Sequence, residues 1–241
     1  MVSKNQLKLI KSLHQKKYRN EHGLFFVEGL KVVKELLKSD LKLVEVYATN
    51  KFVSHFSNHV IQEIETRELK KVSALHNPSG VLGVFEMPKQ KKVELNDWIV
   101  VLDDVRDPGN LGTIIRLCDW FGIKNLVCSK ETVDCFNPKV LQATMGSITR
   151  VNIVYKDLEP FLSQNKLPIY GAFMEGDSIY NEEYPKAGIL ILGNEANGIS
   201  MLLNNLIEKK ITIPQFGNKS AESLNVATAT AIVLSEIRGK S

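Results

Sequence analysis

The sequence predicts an α/β chain in two parts, a small mixed α/β region followed by a larger region built on a parallel sheet. Three observations carry that prediction. From Asp97 onward apolar strands and amphipathic helices alternate with short connections, as helices on both sides of a sheet require. Strands such as Ile189 to Leu192 are continuously apolar, which suits burial on both faces. Between the parts, "PKQKKVELND" is a proline followed by lysines with few apolar residues, the composition of a linker. The expected domains are therefore residues 1–88 and 97–241, joined by 89–96.

The elements follow in order. Lys4 to Leu13 reads as a helix, then a basic loop leads to a strand in "GLFFVEG". Helix "LKVVKELLKS" repeats Val32, Val33, Leu36 and Leu37 at helical spacing. Strands "LVEVYAT" and "GVLGVFEMP" bracket a more ambiguous middle. In the second region the strands are "WIVVLDD", "NLVCS", "RVNIVY", "PIYGAFM", "GILILGNE" and "KITIPQ". The helices between and after them are "LGTIIRLCDWFG", "NPKVLQATMGS", "EPFLSQN", "SMLLNNLIEK" and "NVATATAIVLSEIRGK".

Composition narrows the function. At 241 residues, 44% hydrophobic and 24% charged, the chain can bury real cores. The net charge of +4 is mild, but Lys4, Lys8, Lys11, Lys16, Lys17 and Arg19 crowd the start with no acid among them. That start has no apolar h-region, and no stretch approaches the roughly eighteen apolar residues of a membrane span. The expectation is a cytoplasmic protein. Cys118, Cys128 and Cys135 show neither metal nor redox spacing, so they read as reduced thiols. All five histidines (His14, His22, His55, His59 and His76) lie in the first third. The second region therefore has no histidine base, which excludes a Ser-His-Asp triad and most catalytic zinc sites there.

Ligands of open parallel sheets sit beyond the carboxyl ends of the strands, and three such ends are unusual. "VLDDVRDPGNLGTIIRLCDWFG" runs from a strand through a Pro-Gly-Asn-Leu-Gly turn into a helix bearing Arg116 among apolar neighbours. "ILILGNEANGIS" ends a buried strand in Gly193-Asn194-Glu195 and passes Asn197-Gly198 into a helix. "ITIPQFGNKSAESLNVATAT" ends a strand at Ile213-Pro214 and reaches Ser223-Leu224-Asn225 at a helix start. Each has a plainer explanation: a positive-φ glycine, an Asn-Gly turn, a helix N-cap, a surface ion pair for Arg116. Against these stands the long polar run from Gln215 to Ser223, where about four residues would connect. G-x-G-x-x-G and G-x-x-x-x-G-K-[ST] are both absent, so neither a dinucleotide fold nor a P-loop is supported.

These three segments, in this order, resemble the motifs of the SpoU/TrmH group of RNA 2′-O-ribose methyltransferases, within the SPOUT superfamily. "FFVEGLKVVKELL" is similar to the L30e-like α/β RNA-binding domain that many members carry first, although "HNPSGVLGVF" departs from the usual His-Gln-Gly form. The resemblance implies a trefoil-knotted, parallel-sheet α/β catalytic domain, S-adenosyl-L-methionine as cofactor, and a homodimer; the histidine placement and the lack of a long apolar run add the expectation of no metal and no membrane. It implies catalytic roles for Asn110, Arg116, Glu195, Ser223 and Asn225. It places the cofactor against Leu192, Gly193, Asn194 and Gly198, against Ile213, Pro214 and Leu224, and against Thr144, Met145 and Gly146 of "QATMGS". Arg116 would act as base or as electrostatic stabiliser, in its own subunit or across the dimer.

Two features keep alternative readings. The run Ala227 to Ala231 suits close packing on the chain's own sheet or a dimer contact. Lys4, Lys8 and Lys11 share one helix face, and Lys16, Lys17 and Arg19 continue into a loop beside Tyr18; the cluster is a solvated face or an RNA surface. The expected substrate is structured RNA, ribosomal in preference to transfer RNA. A noncatalytic RNA-binding protein that keeps the fold, or a small-molecule enzyme using the same pocket, are the competing readings.

Overall fold

A computed structural model of the chain describes residues 2–56, 61–217 and 223–240. It forms two compact units, Met1–Lys89 with Asp134–Thr149, and Gln90–Val133 with Arg150–Ser241.

The first unit opens with α1 (Lys4–Ser12), started by a reciprocal cap. Gln6 N–H donates to Ser3 Oγ at 3.2 Å, and Ser3 N–H donates to Gln6 Oε1 at 2.8 Å. Residues 16–22, expected as loop, form a second helix, α2 (Lys16–His22), which Gly23 ends with a left-handed φ of 64°. There follow β1 (Leu24–Glu28), α3 (Leu30–Leu37), β2 (Leu43–Ala48), α4 (Asn50–Val53), β3 (Ile61–Glu63), α5 (Thr66–Val72) and β4 (Val81–Glu86). The strands make one mixed sheet in the order β1-β4-β2-β3, with only β2 and β3 parallel. Ile10 and Leu13 pack with Leu69 and Val72 of α5 over Phe26 and Leu82.

The second unit begins with β5 (Ile99–Leu102), α6 (Pro108–Trp120) and β6 (Asn125–Cys128). The Pro-Gly-Asn-Leu-Gly stretch is not a turn before the helix; it is the first turn of α6. Asp107 caps it by accepting Asn110 N–H at 2.8 Å, and Pro108 at the first helical position has no N–H to leave unsatisfied. After Val133 the chain adds α7 (Pro138–Thr144) to the first unit, packed on β1, with the Phe136 and Phe25 rings 4.8 Å apart. It goes on through β7 (Asn152–Tyr155), α8 (Leu158–Ser163), β8 (Ile169–Ser178), β9 (Ile189–Leu192), α9 (Met201–Asn204), β10 (Lys209–Thr212) and α10 (Val226–Gly239). The helix expected over 200–209 shrinks to the four residues of α9, because the chain must already be extended at Lys209 to pair with β8.

All six strands of this unit are parallel, in the order β10-β8-β9-β5-β6-β7. Alternate residues explain the two faces. Ile99 and Val101 share a cluster with Leu158 and Leu162 of α8 and Leu203 of α9, while Val100 and Leu102 are equally buried. Helices α6 and α10 pack on one another. The register sets Leu102 level with Leu192 and Cys128, so the carboxyl ends of β9, β5 and β6 finish flush. Residues 91–94 are tied to this unit: Asn152 Nδ2 donates to the carbonyls of Lys91 and Lys92, and Asn125 Nδ2 to that of Glu94.

Candidate active site

From β5 the chain moves to β6 on one side, and from β9 it moves toward β10 on the other. Adjacent strands whose continuations diverge leave a crevice at their carboxyl ends, where open sheets bind ligands. That crevice lies between Leu102 and Leu192. Asp103 N–H donates to the Leu192 carbonyl at 2.9 Å, and the Asp103 carboxylate accepts Ser200 N–H at 2.8 Å, which straps the segment after β9 to the end of β5.

That segment is a tight hairpin. Asn194 and Gly198 exchange main-chain hydrogen bonds of 3.0 and 2.9 Å, and Gly198 takes φ 66°. A side chain at Gly193 would put its Cβ 2.1 Å from the Gly198 carbonyl carbon, so residue 193 must be bare. The hairpin presents Glu195, whose Oε1 accepts from Asn110 Nδ2 at 2.9 Å. Asn110 Oδ1 in turn accepts from Asn225 Nδ2 at 2.8 Å. Asn225 is also the N-cap of α10, its Oδ1 accepting the N–H groups of Ala227 and Thr228, so capping and site-building coincide in one side chain. Segments 110, 195 and 225 therefore meet, each held by its own local structure.

The other expected residues divide. Ser223 is exposed two positions before Asn225, and Leu224 keeps 48% of its surface in solvent. Ile213 and Pro214 are half-buried just past β10, and residues 218–222 of the long loop lie outside the described residues. Arg116 is exposed and makes no ion pair among the described residues. Six positions after Asn110, it sits about 120° around the helix and roughly 9 Å along it. It does not join the Glu195–Asn110–Asn225 set. Its face carries Thr113 and Trp120 instead, the latter 83% exposed.

The remaining expected residues sit in varied settings. Leu192 is a core side chain, 2% exposed, with its carbonyl engaged by Asp103. The Asn194 main-chain N–H and carbonyl and both ends of its side-chain amide are hydrogen-bonded within the chain. Thr144 is fully buried and its hydroxyl donates to the Leu141 carbonyl at 2.8 Å. Met145 (φ 52°) and Gly146 (φ 97°) end α7 in left-handed conformations within the first unit, where a Cβ on Gly146 would lie 2.5 Å from Glu35 Cγ. Lys4, Lys8, Lys11, Lys16 and Lys17 are exposed on α1 and α2, but Arg19 is not a surface cation. It is 2% exposed, pairs with Asp134, and donates to the carbonyls of Leu13 and His14 at 2.8 and 2.9 Å.

Sequence reasoning gave no role to Asp103, Asp104 and Ser129, which tie the ends of β5 and β6 to the segment after β9. Two acids directly after a buried strand were the available signal. Near them Arg106 pairs with Asp104 at 2.7 Å, and that hydrogen bond first, then the Asp104, Glu131 and Glu195 charges, raise its pKa above the ordinary guanidinium value. Among the described residues no cluster of His, Cys, Asp and Glu is arranged to hold a metal ion, and no helix is long and apolar enough to cross a membrane.

Comparisons with known proteins match both the amino-terminal and the carboxyl-terminal part of the chain. Residues 97–235 match the SpoU rRNA Methylase family, and residues 4–83 match an MRM3-like substrate binding domain. The 23S rRNA (guanosine(2553)-2′-O)-methyltransferase RlmP of Bacillus subtilis is 31% identical over 98% of each chain. Among solved structures, a TrmH-family protein from Porphyromonas gingivalis superposes with a TM-score of 0.91 at 37% identity, covering 100% of both chains. An AdoMet-bound rRNA methyltransferase from Sinorhizobium meliloti gives 0.87 at 30% identity over 99% of this chain and 97% of that one.

Proposed function

The chain belongs to the SpoU rRNA methylase family, and from that premise we propose that it transfers a methyl group from S-adenosylmethionine to a ribose 2′-hydroxyl of ribosomal RNA. One observation carries the reading: Glu195, Asn110 and Asn225 are hydrogen-bonded into a single set at the switch point of a parallel sheet.

The residues present suit that cofactor. Ile213, Pro214 and Leu224 leave apolar surface at the strand ends, and Gly193 leaves bare backbone, with no lysine cradle for a triphosphate. These residues would hold an adenosine by packing and main-chain groups. When bound, the sulfonium supplies an electrophilic methyl group for in-line displacement. The chain's own part is alignment. Asn110 donates on one side and accepts on the other, so its amide cannot rotate, and such fixed positioning can remove several kcal/mol of a two-reactant barrier, on the order of 7–11 at best. Arg116 stays protonated, with a pKa above about 12. It binds a phosphate or stabilises charge developing on the ribose oxygen; it does not take the proton.

The working form is a homodimer. Arg116 points away from the Asn110 set of its own chain, on a face with the exposed Trp120, and a second copy brought to that face would receive the guanidinium and cover the indole. The carboxyl-terminal segment forms a trefoil knot. Leaving β10 at the sheet edge, it must come back past β8 and β9, about 14 Å at the usual strand spacing, before Asn225 reaches Asn110. The exposed lysines of α1 and α2 supply the phosphate contacts that bring RNA to the first unit.

The test is transfer of labelled methyl from S-adenosylmethionine to ribosomal RNA, with calorimetry of cofactor binding. Arg116→Ala is expected to cut transfer about a thousandfold while cofactor affinity survives. Full activity in that variant, or a wild-type chain that releases no heat with S-adenosylmethionine, would overturn the assignment.

A further inference from the structure

Asp104 is one of two non-glycine residues among those described with a left-handed backbone, φ 58°, the other being Met145. Such a conformation is uncommon outside glycine, asparagine and aspartate. It is pinned from both sides. Asp104 N–H donates to Ser129 Oγ at 3.1 Å, and Ser129 is itself fixed by Thr132. The Asp104 carbonyl then points across the crevice and accepts from Asn194 Nδ2 at 2.7 Å, with the Asp104 carboxylate 3.4 Å from the same nitrogen. On its other side the Asn194 amide accepts the N–H groups of Ala196 and Asn197 at 2.9 and 3.1 Å.

We propose that Asp104 and Asn194 form a latch in which the left-handed backbone of Asp104, and not its charge, fixes the 193–198 hairpin in its binding geometry. Both are positioning residues. The hairpin has Gly193 directly before Asn194 and Glu195 directly after it, so a displacement of Asn194 moves the cofactor-side backbone and the partner of Asn110 together. Turning residue 104 to an extended conformation would swing its carbonyl off the Asn194 amide and free the hairpin at its base. The Arg106–Asp104 ion pair is exposed on the arginine side and is not needed for this role. The inference rests on reading the crevice as the S-adenosylmethionine site.

A double-mutant cycle on the full chain, titrated with S-adenosylhomocysteine by calorimetry, tests it. Asp104→Gly keeps the left-handed backbone and the carbonyl, and should bind within twofold of wild type. Asp104→Val disfavours that backbone and should weaken binding about tenfold. Asn194→Ala removes the donor and should lose a similar factor, and it covers the case in which the valine variant does not fold. The Asp104→Val, Asn194→Ala double variant should lose about tenfold, not a hundredfold, because both changes open the same latch. The latch is wrong if the losses multiply, if Asp104→Gly is as weak as Asp104→Val, or if every variant binds normally. If the wild-type chain itself does not bind S-adenosylhomocysteine, the reading of the crevice fails instead.

Discussion

The two units hold their polar residues in opposite ways. In the first, Lys4, Lys8, Lys11, Lys16 and Lys17 stand exposed along α1 and α2. In the second, Asp103, Asp104, Asn110, Asn194, Glu195 and Asn225 are wired to one another and to main chain. The difference follows from what each must do. Attraction of a polyanion acts over roughly a Debye length, about 8 Å at physiological salt, and tolerates mobile side chains. Methyl transfer depends on alignment, which mobile side chains cannot give. Changes in the first set should therefore be graded and salt-sensitive, and changes in the second cooperative.

Arg19 provides the strongest way to break that comparison, because it is the buried member of the basic cluster. Its guanidinium ties the end of α1 to Asp134, and so fastens the 134–149 segment to the rest of the first unit. Arg19→Ala leaves a nearly buried carboxylate and two carbonyls without their donor. We expect about 3 kcal/mol of lost stability in urea unfolding, with the affected amides of residues 134–149 exchanging faster. A variant as stable as wild type that only binds RNA less well would put Arg19 back among the surface lysines.

The lysines should respond the other way. Replacing Lys4, Lys8 and Lys11 together by alanine should change stability by under about 0.5 kcal/mol, since alanine is a good helix former and the Ser3–Gln6 cap is untouched. The slope of log affinity for RNA against log salt should fall by roughly two to three, one phosphate contact per lysine. Affinity for S-adenosylmethionine should not move. An unchanged salt slope would leave α1 as a solvated face and shift RNA recognition elsewhere.

What could be read from the chain alone tracks this same division. The parallel sheet was legible because Ile99 to Leu102 and Ile189 to Leu192 are apolar throughout, and burial on two faces allows little else. The convergence of Asn110, Glu195 and Asn225 was legible through motif order. Arg19 was not, because a lysine-rich run looks alike whether one member faces solvent or an acid 115 residues away. Nor was the start of α6, where proline and glycine suggested a turn and the Asp107 cap decided otherwise. The engagement of the Asn194 amide by Asp104, Ala196 and Asn197 was not legible either, because adjacency in a motif does not reveal which amides are bonded within the chain. The latch at Asp104 depends on a backbone angle, which no side-chain pattern reports.

A smaller effect sharpens the comparison through pH. In the first unit Glu28 is buried against Ser73 Oγ and Ala74 N–H, and desolvation raises its pKa above the ordinary glutamate value despite those two hydrogen bonds and the nearby His14 charge. In the second unit burial also pushes Asp97 upward, but the fork of Arg238 at 2.8 Å, the Trp98 N–H and the Lys124 charge outweigh it, and the net shift is down. The signs are opposite. Glu28 contributes stability that is complete below its unfolded value of 4.5 and is lost as pH rises through its folded pKa. Asp97 contributes stability present above its unfolded value of 3.8 and lost as pH falls through its lower folded pKa. Glu28→Gln keeps an acceptor for Ala74 and a group to bond Ser73 while removing the buried charge. It should therefore gain roughly 1 kcal/mol at pH 7 and little at pH 4. Arg238→Ala should do the reverse, losing more stability at pH 7 than at pH 3, where its bonds to the Phe121 and Gly122 carbonyls remain to be lost but the Asp97 pair is weakened. Urea midpoints measured from pH 3 to pH 7 separate the two, and parallel curves for Glu28→Gln and wild type would show that Glu28 carries no net penalty in the folded chain.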